Sequence, residues 1–231
     1  MEVEELIENK EAQRIPAWAS ILLMVMGFFV FLGLYSKIIS WGLAVTVGEG
    51  LMKAGMWKYI ITEFCMLLAV LSSAMILLYF ERRPFSDLGL SLKGHIGGIW
   101  YGALLAFAIY VLGFGLSFIT GLVEVTSFQF VPETLVWTFC FFLLVALTEE
   151  IMMRGYILGR LMHTKLNKFL SLLISSLLFA TMHLFNPNIA FLPMLNLVLA
   201  GMLLGASFLY TRNLCFPLSL HLFWNWIQGP I

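Results

Sequence analysis

Charge is what this chain has least of. Its 231 residues include 13 Lys plus Arg and 13 Asp plus Glu, 11% charged in all, against about 25% in ordinary globular proteins. So few charges cannot cover a water-exposed surface, which excludes a soluble globular domain. The two signs balance to a formal net charge of +0, so no basic excess marks nucleic acid as a partner. Three cysteines, Cys65, Cys140 and Cys215, stand in separate apolar runs without CxxC spacing, which argues against a disulfide framework and a structural zinc site. HExxH motifs, internal repeats and low-complexity tracts are also lacking. No small-residue cleavage site follows the first apolar run, which therefore reads as a retained span rather than a removed signal peptide.

What is present is apolar. Hydrophobic residues make up 61% of the chain. They gather in seven runs, from Ala17 to about Tyr35 or Ile39, and at Ile60–Phe80, Gly97–Leu122, Leu135–Leu147, Phe169–Leu184, Ala190–Tyr210 and Leu214–Ile227. About 20 apolar residues cross a 30 Å hydrocarbon core as a helix, and helices satisfy their own backbone in lipid. The expected fold is all-α, a polytopic membrane helix bundle of about seven transmembrane helices. Residues 1–16 read as a solvated tail, 17–96 as N-terminal membrane helices with a linker, and 97–231 as a functional membrane core. The Gly-rich segment Trp41–Met56 reads as a possible re-entrant or interfacial piece.

Basic residues give an orientation. With seven spans, the N-terminus and the even-numbered loops share one side, which holds Lys10, Arg14, Arg82, Arg83, Lys93, Arg154, Arg160, Lys165, Lys168 and Arg212. The other side holds Lys37, Lys53 and Lys58. This bias predicts a cytoplasmic N-terminus in a multi-pass protein of the cell membrane. Gly201 and Gly205, flanked by Ala200 and Ala206, form a small-residue face of the kind that lets membrane helices approach closely.

Ionisable groups inside spans are expensive and mark functional candidates. Glu63 lies near its expected helix end and reads as tolerated at the interface. Glu149 and Glu150, adjacent after the apolar run Phe141–Leu147, read differently. Glu150 and Arg154 are i and i+4 on one helix face and can pair. Glu149 is turned about 100° away, has Met153 as its own i+4 neighbour, and is left to act on a proton as a general base. His183, with Phe179 one turn before it, and His221, with Asn225 one turn after it, lie on distant helices. Glu149 precedes the expected Thr164–Asn167 turn by about 15 residues and His183 follows it by about 16, so both sit roughly 22–25 Å above it. His221 sits about 12 Å above the Thr211–Asn213 turn. The levels match if the fourth and fifth helices extend about 10 Å beyond the bilayer as a hairpin.

The three pairs, Glu149-Glu150-x-x-x-Arg154, Phe179-x-x-x-His183 and His221-x-x-x-Asn225, resemble in this order the motifs of the CAAX protease and bacteriocin-processing (Abi) family, related to the type II CAAX prenyl endopeptidases. The resemblance spans about Thr134 to Ile231. Gly155, Tyr210-Thr211-Arg212-Asn213 and Pro217 agree with it, as does Arg82-Arg83-Pro84-Phe85-Ser86-Asp87-Leu88-Gly89-Leu90 ahead of the core. It implies an intramembrane glutamate-type endopeptidase acting on a membrane-associated peptide or protein, prenylated or leader-type. Glu149 and His183 would activate the water, His221 and Asn225 would stabilise the oxyanion, and Glu150, Arg154 and Phe179 would support the site. No cofactor is implied. Two rival readings stand beside this one. Glu149, His183 and His221 also form a two-histidine, one-carboxylate zinc set with water as the fourth ligand. Some relatives act as membrane adaptors or bacteriocin-immunity proteins, a role that loss of a motif residue would favour; here every motif residue is present. A carrier would be expected to show discontinuous helices in paired halves, and the sequence has none.

Overall fold

The computed structural model describes residues 15–46, 55–127, 130–186 and 190–229. The acidic stretch of the expected tail, and residues 47–54 of the expected re-entrant piece, lie outside the described residues. Every regular element among the described residues is helical. Helices α1 (Ala17–Thr46) and α2 (Met56–Phe80) are followed by a 3-10 turn at Phe85–Leu88, then α3 (Ile96–Ile119) and α4 (Pro132–Glu150). Helix α4 continues without a break into a π-helical segment, Ile151–Leu158, and a last turn at Gly159–Leu161. Helices α5 (Lys168–Met182), α6 (Phe191–Thr211) and α7 (Cys215–Gln228) complete the chain.

These seven helices correspond to the seven apolar runs. Five of them are long and apolar enough to cross a membrane: Ala17–Gly42, Trp57–Phe80, Ile96–Ile119, Pro132–Leu161 and Phe191–Thr211. Helices α5 and α7, of 15 and 14 residues, reach only about 21–23 Å at 1.5 Å per residue and are short of a full crossing. Asn167 caps the start of α5 by accepting the Phe169 amide at 2.8 Å, and His183 ends it. Two helix boundaries differ from the sequence expectation. Helix α1 runs on to Thr46, because nothing in Ser36–Thr46 breaks an apolar helix. Helix α2 starts at Met56, which places Glu63 two turns inside it rather than at its end.

Helices consecutive in the chain alternate in direction, while α2 packs parallel to α4 and α3 parallel to α7. The start of α1 meets the ends of α2 and α4 in a buried polar knot, where Glu81 accepts from Arg160 Nε at 2.9 Å, Tyr156 Oη at 3.2 Å and the Ser20 hydroxyl. Leu214 N donates to Gly89 O at 2.8 Å and Asn213 Nδ2 to Ser91 O at 2.7 Å, tying the start of α7 to the linker before α3. Lys168 lies over the Tyr210 ring at 5.0 Å, bringing the start of α5 to the end of α6. Arg82, Arg83, Lys93, Arg160, Lys165, Lys168 and Arg212 thus share one end of the bundle, and exposed Trp18, Tyr79, Trp100, Tyr101 and Tyr210 ring it, as aromatic residues do at a membrane interface.

Two close approaches set the helix spacing. Gly102 of α3 lies so near α7 that an added Cβ would meet Phe216 O at 2.6 Å and Leu220 N at 2.8 Å. At Gly201 of α6, a Cβ would meet Ser176 Cα of α5 at 3.0 Å. The expected small-residue face therefore serves the α5–α6 contact. The main core gathers around the π-helical segment, all of whose residues are buried: Leu88, Leu172, Phe208 and Leu214 pack against Ile151, Met152, Tyr156 and Leu158.

Candidate active site

Three helices deliver the polar groups to one place. Helix α4 carries Glu149 and Glu150 on its last two residues, immediately before the backbone widens into the π-helical segment. π-Helical stretches inside α-helices recur at functional sites. Arg154, within this stretch, still reaches back to Glu150, with Nη1 2.7 Å from Oε1. The pair is fully enclosed, Arg154 at 1% and Glu150 at 0% side-chain exposure, so the charges compensate each other where no water can. Arg154 Nη2 also donates to Gly201 O at 3.4 Å, and its guanidinium lies over the Phe179 ring, 4.5 Å from the centroid, a cation–π contact.

Glu149 faces the other way, as the helical spacing predicts. It is 23% exposed, and no ion pair to Lys or Arg involves it among the described residues. Instead, two imidazoles approach it. His183 Nε2 lies 3.8 Å from Oε1 and His221 Nε2 lies 3.8 Å from Oε2. Glu149 Oε2 is buried without a hydrogen-bond partner, in a place where buried carboxylate oxygens are normally satisfied.

Each imidazole is anchored through its other nitrogen. His183 caps α5 with φ −96° and ψ 4°, and its Nδ1 lies 2.9 Å from Phe179 O. A carbonyl only accepts, so Nδ1 carries the hydrogen, and the Nε2 of a neutral ring turns a lone pair toward Glu149. His221 Nδ1 lies 2.8 Å from Glu150 Oε1, so that ring donates to a carboxylate. Phe179 packs against both rings, its centroid 4.8 Å from that of His183 and 6.3 Å from that of His221, and so walls the site on the α5 side.

The candidate site residues Glu149, Glu150, Arg154, Phe179, His183, His221 and Asn225 lie on the three helical elements that deliver this site, α4 with its π-helical continuation, α5 with its cap, and α7. Asn225, one turn beyond His221 on α7, is half-buried, and its side chain has no hydrogen-bond partner among the described residues. The match of depth expected for Glu149, His183 and His221 is met by their distances. Three features were not legible. The His221–Glu150 bond joins helices 71 residues apart, and the Gly201 carbonyl reaches Arg154 through backbone, which no side-chain pattern signals. Glu63, read as an interfacial acid, instead sits half-buried within the span Trp57–Phe80. Its intramembrane position was the signal that could have found it.

The chain has no match among curated proteins or among solved structures. Residues 131–227, which hold α4 through all but the last residue of α7, match the family described as type II CAAX prenyl endopeptidase Rce1-like. Over this segment, which is less than half of the chain, the protein is similar to that family.

Proposed function

We propose that the protein is an intramembrane glutamate-type endopeptidase that hydrolyses a peptide bond in a membrane-associated peptide or protein, with residues 97–231 as its catalytic core. The observation that carries this reading is the approach of two histidine Nε2 atoms to the two oxygens of one carboxylate, each at 3.8 Å. Such a gap is too long for a direct hydrogen bond and short enough for one water to bridge. A water donating to Glu149 Oε1 and to His183 Nε2, at about 2.8 Å from each, is polarised by both. Glu149 takes a proton from it, and the oxygen adds to the peptide carbonyl carbon. The carbonyl electrons move onto oxygen, where Asn225 Nδ2–H and His221 Nε2–H donate to the oxyanion. The proton on Glu149 then passes to the amide nitrogen as the carbon–nitrogen bond breaks, and Glu149 is restored.

His221 donates from both nitrogens in this scheme and is therefore an imidazolium. The local charges agree with that. Glu149 and Glu150 carry two negative charges, Arg154 supplies one positive charge, and a protonated His221 between the two carboxylates supplies the other. Glu150 and Arg154 hold the ring and the π-helical segment in place and take no part in proton transfer. No metal enters the scheme. The end of the bundle that carries Arg160, Lys165 and Lys168 faces the cytoplasm, as the distribution of basic residues favours.

The test is a comparison of peptide termini in membranes from cells that express the wild type or Glu149→Gln. Termini that arise only with the wild type would support hydrolysis and identify the substrate. Identical sets would sink the peptidase reading and favour an adaptor or immunity protein.

A further inference from the structure

Helices α3, α6 and α7 meet inside the bundle and leave space between them at its basic end. Ala106 of α3, Leu204 of α6 and Leu220 of α7 belong to one buried apolar cluster, with Phe216 packed against it. Beyond Phe216 lies an open cleft of about 470 Å³, walled by His95, Gly97 and Tyr101 on one side and by Ser207, Thr211 and Phe216 on the other. Its volume is that of a small-molecule site. Its depth is that of a lipid headgroup. The cleft spans the first turn of Ile96–Ile119 and the last turn of Phe191–Thr211, level with the exposed rings of Trp100, Tyr101 and Tyr210, which mark a membrane interface.

The rim of the cleft favours an anion. Lys93 adjoins the lining residue Gly94, and Arg212 stands between the lining residues Thr211 and Asn213. Both cations are exposed, and neither forms an ion pair among the described residues. The carboxylates described at this end of the bundle, Glu81 and Asp87, are held by Arg160 and Arg83. The side chains of His95 and Tyr101 add an imidazole and a phenol, neither of which has a hydrogen-bond partner among the described residues. Two uncompensated cations and two free donors suit a phosphodiester, whose oxygens only accept. Basic pockets between membrane helices hold anionic headgroups in this way. A lipid fits the rest of the cleft better than a free phosphate does. Phe216 gives it an apolar floor, and Leu104, one turn deeper than Tyr101 on the same face of α3, is exposed and offers an acyl chain a path.

We propose that this cleft binds one anionic glycerophospholipid. Lys93 and Arg212 hold its phosphate, His95 and Tyr101 donate to it, the glycerol rests on Phe216, and the acyl chains stay in the bilayer beside Leu104. The site stands apart from the peptidase reading, since none of its residues belongs to the Glu149 centre.

The test is native mass spectrometry of the full chain purified in detergent and titrated with phosphatidylglycerol or with phosphatidylcholine of the same acyl chains. Phosphatidylglycerol should fill one site per chain before any other, and phosphatidylcholine, whose choline cation would face Lys93 and Arg212, should not compete for it. Lys93→Gln and Arg212→Asn should each weaken this step about fivefold, and the double variant about thirtyfold. Asparagine suits residue 212, whose φ is 52°. Arg82→Asn is the matched control, an exposed arginine with φ 55° that lies outside the cleft, and it should leave binding unchanged. Gly97→Leu keeps both charges, fills the cleft and should abolish the one-site step. If that variant fails to insert, the charge variants still decide. Four results would each overturn the proposal. An equal loss in Arg82→Asn would show diffuse attraction to the basic end. Equal binding of both lipids would show that charge is not read. A one-site step kept by the double variant would place the lipid elsewhere. Displacement of the lipid by an equimolar amount of inorganic phosphate would assign the cleft to the free anion.

Discussion

His221 donates from Nδ1 to Glu150 Oε1 at 2.8 Å, on the same oxygen that Arg154 Nη1 reaches at 2.7 Å. One buried carboxylate therefore neutralises an arginine on its own helix and orients a histidine on the last one. The Phe179 carbonyl does the second job for His183. Both rings are held from behind, and both turn Nε2 toward Glu149. Adjacent glutamates in one helix thus have separate work, one facing the histidines' free nitrogens and the other fixing a ring and an arginine.

The first prediction follows from that division. Glu149→Gln keeps size and packing and should give a folded, inserted and inactive protein. Glu150→Gln leaves the fully buried Arg154 without its counter-charge and should cost about 3–5 kcal/mol of stability, with activity falling as His221 loses its anchor. Thermal unfolding in detergent alongside turnover would check both. Equal melting temperatures for the two variants, or full turnover by Glu149→Gln, would be the contrary result.

The second concerns metal. If the water is activated by Glu149 and His183 alone, hydrolysis should survive exhaustive treatment with a strong chelator, and His183→Ala and His221→Ala should each stop turnover without releasing zinc. A zinc site would generate its nucleophile on the cation. Chelation would then stop the reaction, and added Zn²⁺ would restore it. Zinc at one equivalent per chain, lost with either histidine, would overturn the metal-free scheme.

The third is topological. Thr164 lies in the turn between the Gly159–Leu161 end of the α4 span and α5, at the basic end of the bundle, and Gln228 ends α7. In a background with Cys65, Cys140 and Cys215 replaced, Thr164→Cys should react with a membrane-impermeant thiol reagent from the cytoplasmic side and Gln228→Cys from the outer side. Because α7 is only 14 residues long, this pair tests whether it completes a crossing. Labelling of both from one side would show that it does not.

The fourth tests helix spacing. A Cβ at Gly102 would collide with the α7 backbone, whereas one at Gly113 on the same helix meets nothing within 4 Å. Gly102→Ala should cost about 1–3 kcal/mol through overpacking and lower activity by displacing the helix that carries His221. Gly113→Ala should be neutral or slightly stabilising. Similar unfolding temperatures for the two would mean that α3 does not set the position of α7.

Much of this was legible in one dimension. Scarce charge and long apolar runs specify helices in lipid, because no other open structure satisfies its backbone there. The Glu150–Arg154 pair follows from i, i+4 spacing alone, as does the opposite facing of Glu149. The order of the three motifs was enough to name the family that residues 131–227 match.

Other features arise only when the helices pack. Helical spacing describes one helix at a time, so it cannot show that the carboxylate of Glu150 also receives His221 from α7. Nor can it show that a backbone carbonyl of α6 completes the shell of Arg154. The π-helical stretch after Glu150 is likewise a tertiary outcome, since the surrounding core of Leu88, Leu172, Phe208 and Leu214 packs against a widened turn. Glu63 shows the difference most clearly. By sequence it is an acid near a helix end with room to reach water, and nothing local says otherwise. The start of α2 at Met56 and its parallel packing on α4, through Trp57 with Trp137 and Tyr59 with Phe141, leave it half-buried two turns inside the helix. Composition and periodicity determined the elements and the residues available for chemistry. Which of those residues meet was decided by contacts between helices far apart in the chain, whose energies depend on distance in space and leave no mark on spacing in sequence.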